Sequence, residues 1–184
     1  MSNGALTTAI LSVLVFTAQA AESQTQRLNL RLHTGDGQSL EAGTVLLTPE
    51  GNGYRFQVEW DETRFANHFL SMRPFRCLED VERMLCHLPY PYRNDRRLLG
   101  DDLTDLEYDL LFIRRTADEY GIDPWNGVYY RLSWDGDGIR GELMEVDMNL
   151  LASPPPDGVL RPLKEEDLHT ADPDNHWLPT VSIR

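Results

Sequence analysis

Two short stretches of this 184-residue chain alternate apolar and polar side chains with a period of two. From Arg27 to His33 leucine takes every second position, and from Tyr54 to Trp60 bulky apolar residues alternate with Arg, Gln and Glu. This period is typical of a strand with one buried face, because successive side chains of a strand point to opposite faces. The pattern therefore predicts β-strands over both stretches.

Turn-forming residues separate these strands from other apolar segments. An apolar run from Thr44 to Thr48 is followed by a turn-rich stretch, Pro49 to Gly53, and so predicts an antiparallel hairpin with Tyr54 to Trp60. A second hairpin is predicted from Val128 to Trp134 and Ile139 to Met148, joined by a turn whose glycines allow positive φ.

Two more segments are predicted to be strands. Phe65 to Met72 is the first, and Trp177 to Ile183 is the second. The second can pair with the first strand of the chain and close the sheet.

The number and spacing of these segments predict the fold class. About eight short strands separated by turns are typical of a mainly β fold. We expect an antiparallel meander that forms a barrel or a strongly curled sheet, with one or two short helical turns. One β-rich domain is expected over residues 21–184, with a Pro- and Asp-rich C-terminal segment at 153–176. A curled sheet of this size can enclose a ligand cavity.

The stretch 105–115 fits either secondary structure. Alternating apolar residues from Leu106 to Ile113 favour a strand. Against this, Thr104 and Glu107 have the spacing of a capping box, and Gly121 can end a helix in the left-handed conformation. We favour the strand, and expect a short helical turn from Ala117 to Tyr120 in either case.

The first twenty residues carry no charged side chain and contain an apolar run, Ala9 to Phe16, that ends before Ala18-Gln19-Ala20. This layout is typical of a secretory signal peptide. The run is shorter than the roughly 20 apolar residues that cross a bilayer, and no second long apolar segment follows. We therefore predict that residues 1–20 are a signal peptide, and that the rest is exported, to a bacterial periplasm rather than the extracellular space, with no membrane span.

Cys77 and Cys86, the only cysteines, are nine residues apart, and His87 follows the second. On one helix they would lie on opposite faces, about 13 Å apart along the axis, beyond the ~7 Å between Cα atoms that a disulfide allows. The apolar pattern from Leu78 to Leu85 permits that helix, but export favours a disulfide. We predict the disulfide, with a single helical turn at Glu79–Arg83 between extended arms. Free thiols and a zinc site remain alternatives, whereas the spacing does not fit covalent haem.

The net charge of −13 argues against nucleic acid as a partner, because phosphate backbones need clustered basic residues. Six arginines nevertheless surround the cysteines: Arg73, Arg76, Arg83, Arg93, Arg96 and Arg97. Guanidinium groups can bind a carboxylate or phosphate. The favoured interpretation is that they pair with the acidic run that follows, which comprises Asp101, Asp102, Asp105, Glu107 and Asp109.

The candidate ligand-binding residues are Arg73, Arg76, His87, Tyr90 and Tyr92. The segment Leu88 to Tyr92 alternates proline and aromatic residues, which predicts a rigid extended segment with two projecting rings. It either lines a ligand mouth or lies over an edge of the core, and the second interpretation is favoured.

The C-terminal segment offers weak metal candidates, namely His169, Asp172, Asp174 and His176. Carboxylates suit calcium and imidazoles suit zinc. The stretch lacks a sharp glycine turn and regular helical spacing, so a solvated loop is favoured, and no cofactor is predicted.

No familiar catalytic motif is present, and no catalytic residue is assigned. Asp105, Glu107 and Asp109 on one strand face would lie about 7 Å apart, a spacing that suits glycoside chemistry. Acids in that alternation more often form the wet face of a strand. The leading hypothesis is a binding domain for a small apolar or anionic ligand or an envelope protein. The alternative is a periplasmic hydrolase with a histidine base: His68, His87, His169 or His176.

Overall fold

A computed structural model describes residues 24–70 and 73–184. The predicted signal peptide, residues 1–20, lies outside the described residues, as do Ser71, Met72 and the side chain of Arg73. The described chain is mainly β, with one antiparallel sheet of 12 strands, one α-helix and five short 3-10 turns.

The strands are β1 (Gln26–His33), β2 (Ser39–Glu50), β3 (Gly53–Trp60), β4 (Ala66–Leu70), β5 (Arg73–Glu79), β6 (Arg83–His87), β7 (Arg97–Leu99), β8 (Phe112–Thr116), β9 (Gly127–Asp135), β10 (Gly138–Val146), β11 (His169–Thr170) and β12 (Thr180–Ile183). The helix α1 spans Thr104–Asp109. The 3-10 turns are Glu62–Arg64, Pro124–Asn126, Met148–Leu151, Glu165–Asp167 and Pro173–Asn175.

The strand order is β4-β5-β6-β8-β9-β10-β12-β1-β2-β3-β7, and β11 pairs with β10. The predicted pairing of the last strand with the first is confirmed, from Leu30 opposite Ile183 to His33 opposite Thr180. Because β12 also pairs with β10, it joins the N-terminal strands to the rest of the sheet rather than closing it. The ladder of described strands ends at β4 and β7, so the sheet is open.

One apolar core lies inside this sheet. It combines side chains from strands that are far apart in the strand order, among them Leu30, Val45, Leu85 and Tyr130. The sheet therefore curls around the core. The helix α1 packs against β7 and β9.

A second apolar layer covers the outer face of β5, β6 and β8. Leu78 belongs to the main core, whereas its neighbour Cys77 packs with Phe75 and Cys86 in a separate cluster. Adjacent strand residues point to opposite faces, which explains the two layers. The partly buried Ile122, from the loop after β8, packs on the outer cluster.

The cysteine hairpin forms as predicted, apart from its turn. Cys77 and Cys86 are directly opposed on β5 and β6, with Cα atoms 3.9 Å apart and an S–S distance of 2.08 Å. The helical turn predicted at Glu79–Arg83 is wrong. The strands continue to a tight turn closed by the Asp80 amide, which donates to the Arg83 carbonyl at 2.9 Å. Extended backbone up to this turn lets Leu78 and Leu85 face each other in the core.

The strand favoured over Leu106 to Ile113 is wrong in its first half. The chain forms α1 there, and β8 begins at Phe112. Leu103, Leu106 and Leu110 are all buried, which is the spacing of a helix face toward a core. The apolar residues of this segment fit both the helical period and the strand period, and packing against the sheet favours the helix.

The helix boundaries also differ from the prediction. Leu103 is the N-cap and makes no side-chain capping bond, so the Thr104–Glu107 capping box does not form. Asp102 instead accepts from the Thr104 amide at 3.1 Å. The helix ends at Asp109, well before Gly121, and the residues from 117 to 120 form a turn without helical structure.

No helix in the described ranges is long and apolar enough to span a bilayer.

Candidate functional site

The residues predicted to bind a ligand do not converge on one site. Arg76 pairs with Glu62 at 2.5 Å. His87 packs against Trp60 with ring centroids 4.5 Å apart, and its Nε2–H donates to the Asp109 carbonyl at 3.1 Å. Burial lowers the pKa of His87 to about 4, so the ring is neutral at pH 7. These contacts make His87 part of the core packing.

Tyr90 and Tyr92 bind backbone on either side of the prolines Pro154 to Pro156. The Tyr90 hydroxyl donates to the Leu160 carbonyl at 2.8 Å, and the Tyr92 hydroxyl donates to the Leu151 carbonyl at 3.0 Å. The two hydroxyls therefore bind backbone of the same chain.

Most of the arginines near the cysteines do not form ion pairs with the acidic run that follows them. Arg96 is the exception within the described ranges, with its Nε 3.2 Å from Asp109. Asp102 and Asp105 are bound instead by Arg161, at 2.6 Å and 2.7 Å. The remaining described pairs are Arg76 with Glu62, Arg83 with Asp80, Arg93 with Asp95 and Arg97 with Glu50. The predicted pairing is therefore wrong for those four arginines.

The acidic alternation is not the wet face of a strand. Asp105 and Glu107 lie on α1 and are only 4% and 7% exposed. Glu107 accepts from the Tyr129 hydroxyl and, at 2.7 Å, from the Leu132 amide. Burial raises the pKa of Glu107 and of Asp109. The strand geometry suggested for glycoside chemistry is absent here, because these residues are helical.

The metal candidates are also dispersed. His169 is exposed on β11, and Asp172 caps a 3-10 turn by accepting from the Asp174 amide at 3.1 Å. His176 is buried and its Nε2 lies 3.0 Å from Glu145. Across residues 24–70 and 73–184, no group of three or more His, Cys, Asp or Glu is placed to hold a metal ion.

A pocket of about 150 Å³ lies beside the free part of β8. Among the described strands β8 pairs with β9 only at Phe112 and Ile113, so Arg114 to Thr116 have no strand neighbour on that side. Six of its lining residues define what we call the arginine pocket: Arg83, Arg114, Arg115, His176, Trp177 and Leu178.

The arginine pocket adjoins a wider polar cleft of about 610 Å³. Arg83, His176, Trp177 and Leu178 line both. The cleft is bordered on its other side by the turn between β1 and β2 and by the first residues of β2, within residues 34–41. A ligand in the arginine pocket can therefore extend into the cleft.

Arg115 is the unusual group of the arginine pocket. It is 8% exposed, and no carboxylate within the described chain lies within ion-pair distance of it. One terminal nitrogen donates to the Glu119 carbonyl, the other contacts the Met84 sulfur at 3.5 Å, and Nε is buried without a partner. Buried charges are normally paired, and the Asp118 carboxylate acts on Arg115 only from beyond ion-pair distance, so the guanidinium retains donor capacity for an oxyanion.

Arg114 and Arg83 add positive charge with partial compensation. Arg114 has a buried Nε without a partner, and its terminal nitrogen is 3.7 Å from Glu145, which also binds His176. Arg83 pairs with Asp80 at 2.7 Å.

No sequence motif indicates that Arg114, Arg115 and Trp177 belong to a site. A usable indication was present: Arg115 follows Ile113 at the period of a strand, so the two share a face. An arginine on the buried face of a strand requires a compensating group. Only the folded structure, however, shows that no carboxylate in the described chain pairs with Arg115.

A separate cleft of about 280 Å³ lies over the outer face of the disulfide hairpin. It is lined by Phe75, Leu88, Pro89, Pro91, Ile113, Ile122, Pro124, Met148, Asn149, Leu151 and Ala152, and is called the apolar cleft below. The segment Leu88 to Tyr92 thus lines a cleft with its leucine and prolines, whereas its tyrosines point to the C-terminal segment.

The chain matches no model of a known protein family, and it shows no significant similarity to a curated protein or a solved structure.

Proposed function

We propose that this protein binds a small anionic ligand in the arginine pocket. The observation that carries the proposal is Arg115, a buried guanidinium that lines the pocket, has no carboxylate partner in the described chain and keeps one N–H free. A bound oxyanion would compensate the charge of this guanidinium. Because the chain has a net charge of −13, a local concentration of arginines is unusual in it and supports a specific role for the pocket.

The walls of the pocket define the rest of the ligand. Leu85, Leu143, Leu178 and Trp177 line it together with the arginines. The volume of about 150 Å³ suits a carboxylate or phosphate attached to a short apolar group. Larger polar parts of a ligand would lie in the adjoining cleft.

The setting of this function is part of the proposal. We infer export to the periplasm after removal of residues 1–20, supported by the sequence pattern and by the Cys77–Cys86 disulfide, a bond that persists in oxidising compartments. Closure of the curled sheet into a barrel stays a prediction.

The hydrolase alternative has weaker support. Of the four histidines considered as bases, His176 lines both the pocket and the cleft and binds a carboxylate, Glu145, at 3.0 Å. Within residues 24–70 and 73–184, neither His176 nor Glu145 hydrogen-bonds a hydroxyl or thiol that could act as nucleophile. Binding therefore accounts for the geometry better than hydrolysis.

Calorimetric titration tests the proposal. The purified protein is titrated with acetate, butanoate, hexanoate and inorganic phosphate, and with butanamide as a neutral match for butanoate. We expect saturable binding of at least one anion and none of the amide. Arg115→Met should weaken that binding at least about tenfold, because it removes charge-assisted hydrogen bonds.

Arg140→Gln is the matched control, since Arg140 is an exposed arginine on β10 that pairs with Glu142. It should bind the anions as the unmodified protein does. Absence of saturable binding by every anion, or equal binding by the Arg115→Met variant, would reject the proposal.

A further inference from the structure

Two exposed large apolar residues directly follow residues that line the apolar cleft. Trp125 is 69% exposed and directly follows Pro124, which lines the cleft. Leu150 is 48% exposed and lies between two lining residues, Asn149 and Leu151. Single exposed apolar residues are ordinary, but a group of them beside an apolar cleft is typical of an interaction surface.

The two loops that form one side of the apolar cleft carry charge of one sign. The sequence contains no Lys or Arg between Thr116 and Tyr130, or between Gly141 and Leu160. Two carboxylates are fixed at the rim itself. Asp123 accepts from the Trp125 amide at 3.0 Å, and Asp147 accepts from the Asn149 amide at 2.9 Å.

We propose that the apolar cleft is a docking site for a partner protein, and that it takes a short apolar segment flanked by Lys or Arg. The leucine, proline and aromatic walls would bury the apolar side chains. Asp123 and Asp147 would face the flanking basic residues, and such charge complementarity selects the partner and speeds its association.

The same charges argue against two other occupants. A second copy of this chain would bring an identical acidic rim against the first, and like charges in an interface are costly. An anionic lipid surface would be repelled for the same reason. The site is also separate from the arginine pocket, since the two have no lining residue in common.

Selection from a random peptide library displayed on phage, with the full protein as the target, tests the inference. The enriched peptides should share an apolar centre with flanking Lys or Arg. Fluorescence polarisation of a labelled enriched peptide should then show binding that Trp125→Ser weakens at least about tenfold, the scale of an aromatic contact at the centre of an interface.

Two further variants make the test specific. The double change Asp123→Asn and Asp147→Asn keeps side-chain oxygens that can cap the 3-10 turns and removes only the charges, so it should weaken binding and reduce its dependence on salt. Val81→Ser changes an exposed apolar residue at the turn of the disulfide hairpin and should leave binding unchanged.

Several results would overturn the inference. They are a lack of enrichment, enriched peptides without basic residues, and peptide binding that is equal in the Trp125→Ser variant. Self-association in gel filtration that Trp125→Ser abolishes would identify a second copy as the occupant. Binding to vesicles of anionic phospholipid that the same variant abolishes would identify a membrane.

Discussion

Two regions of this molecule bury charge, and they do so in opposite ways. On α1 the carboxylates of Asp105 and Glu107 each accept hydrogen bonds from groups elsewhere in the chain. In the arginine pocket Arg115 is buried to a similar degree, yet no carboxylate in the described chain forms an ion pair with it, and Asp118 acts on it only from a longer distance. The first arrangement serves the fold, whereas the second leaves binding capacity for another molecule.

Asp105 shows how complete the first arrangement is. Its carboxylate accepts from the Arg97 amide at 3.0 Å and from the Arg161 Nε at 2.8 Å. A second nitrogen of Arg161 lies 2.7 Å away. The ion pair fixes the C-terminal segment to α1, so it links parts of the chain that are remote in sequence.

The largest expected effect comes from breaking this pair. Asp105→Ala should lower the free energy of unfolding by about 3 kcal/mol, because it leaves the partly buried Arg97 amide without its acceptor and removes one of the two carboxylates that compensate Arg161. Equilibrium unfolding in urea measures the change. The exposed neighbour Asp101 provides the control, and Asp101→Ala should stay within about 0.5 kcal/mol of the unmodified protein. Equal losses for the two variants would contradict a structural role for Asp105.

The fold was more accessible from the sequence than either charged region. Alternation between Arg27 and His33 predicts β1, because this pattern depends on neighbours along the chain. The spacing of Cys77 and Cys86 permits either a helix or a disulfide between extended arms, and the predicted export favours the disulfide. The α1 carboxylates depend on Arg161, which is distant in sequence. No local pattern therefore distinguishes a buried, paired Asp105 from an exposed one.

Dependence on residues that are distant in sequence also explains why the sequence did not predict the arginine pocket. Arg115 differs from the arginines around the cysteines only in what surrounds it after folding. Its position on the same strand face as Ile113 indicates burial. Only the packed structure shows that no carboxylate in the described chain forms an ion pair with it. The arginines chosen from sequence proximity, such as Arg83, found acidic partners nearby.

A smaller effect depends on pH. It arises at His87, which donates a hydrogen bond to the backbone of α1. Burial lowers the pKa of His87 to about 4, against 6.5 for an ordinary histidine, so the folded state resists protonation. The contribution of His87 to stability is therefore fully present above pH 6.5 and is lost as the pH decreases toward 4. At pH 4.5 the loss should be about 2.5 kcal/mol.

Urea unfolding between pH 7.5 and 4.5 measures the free energy of unfolding of the unmodified protein and of His87→Gln. The difference between the two isolates the effect of His87. Glutamine can still donate to the Asp109 carbonyl but does not titrate. Glu107 and Asp109 have raised pKa values and act in the opposite direction, since the folded state gains protons more readily than the unfolded state as the pH falls. Parallel pH profiles for the two proteins would show that His87 is not the responsible group.

The smallest expected effect distinguishes the two charged regions most sharply. Arg115→Met should change the free energy of unfolding by less than about 1 kcal/mol, or raise it, because it removes a buried charge that no ion pair compensates. The Glu119 carbonyl loses a donor, but Glu119 is exposed, so water can replace that bond. The methionine would lie beside Met84, which Arg115 already contacts. A loss near that of Asp105→Ala in the same urea measurement would mean that Arg115 serves the fold, and it would remove the reason to assign the arginine pocket to a ligand.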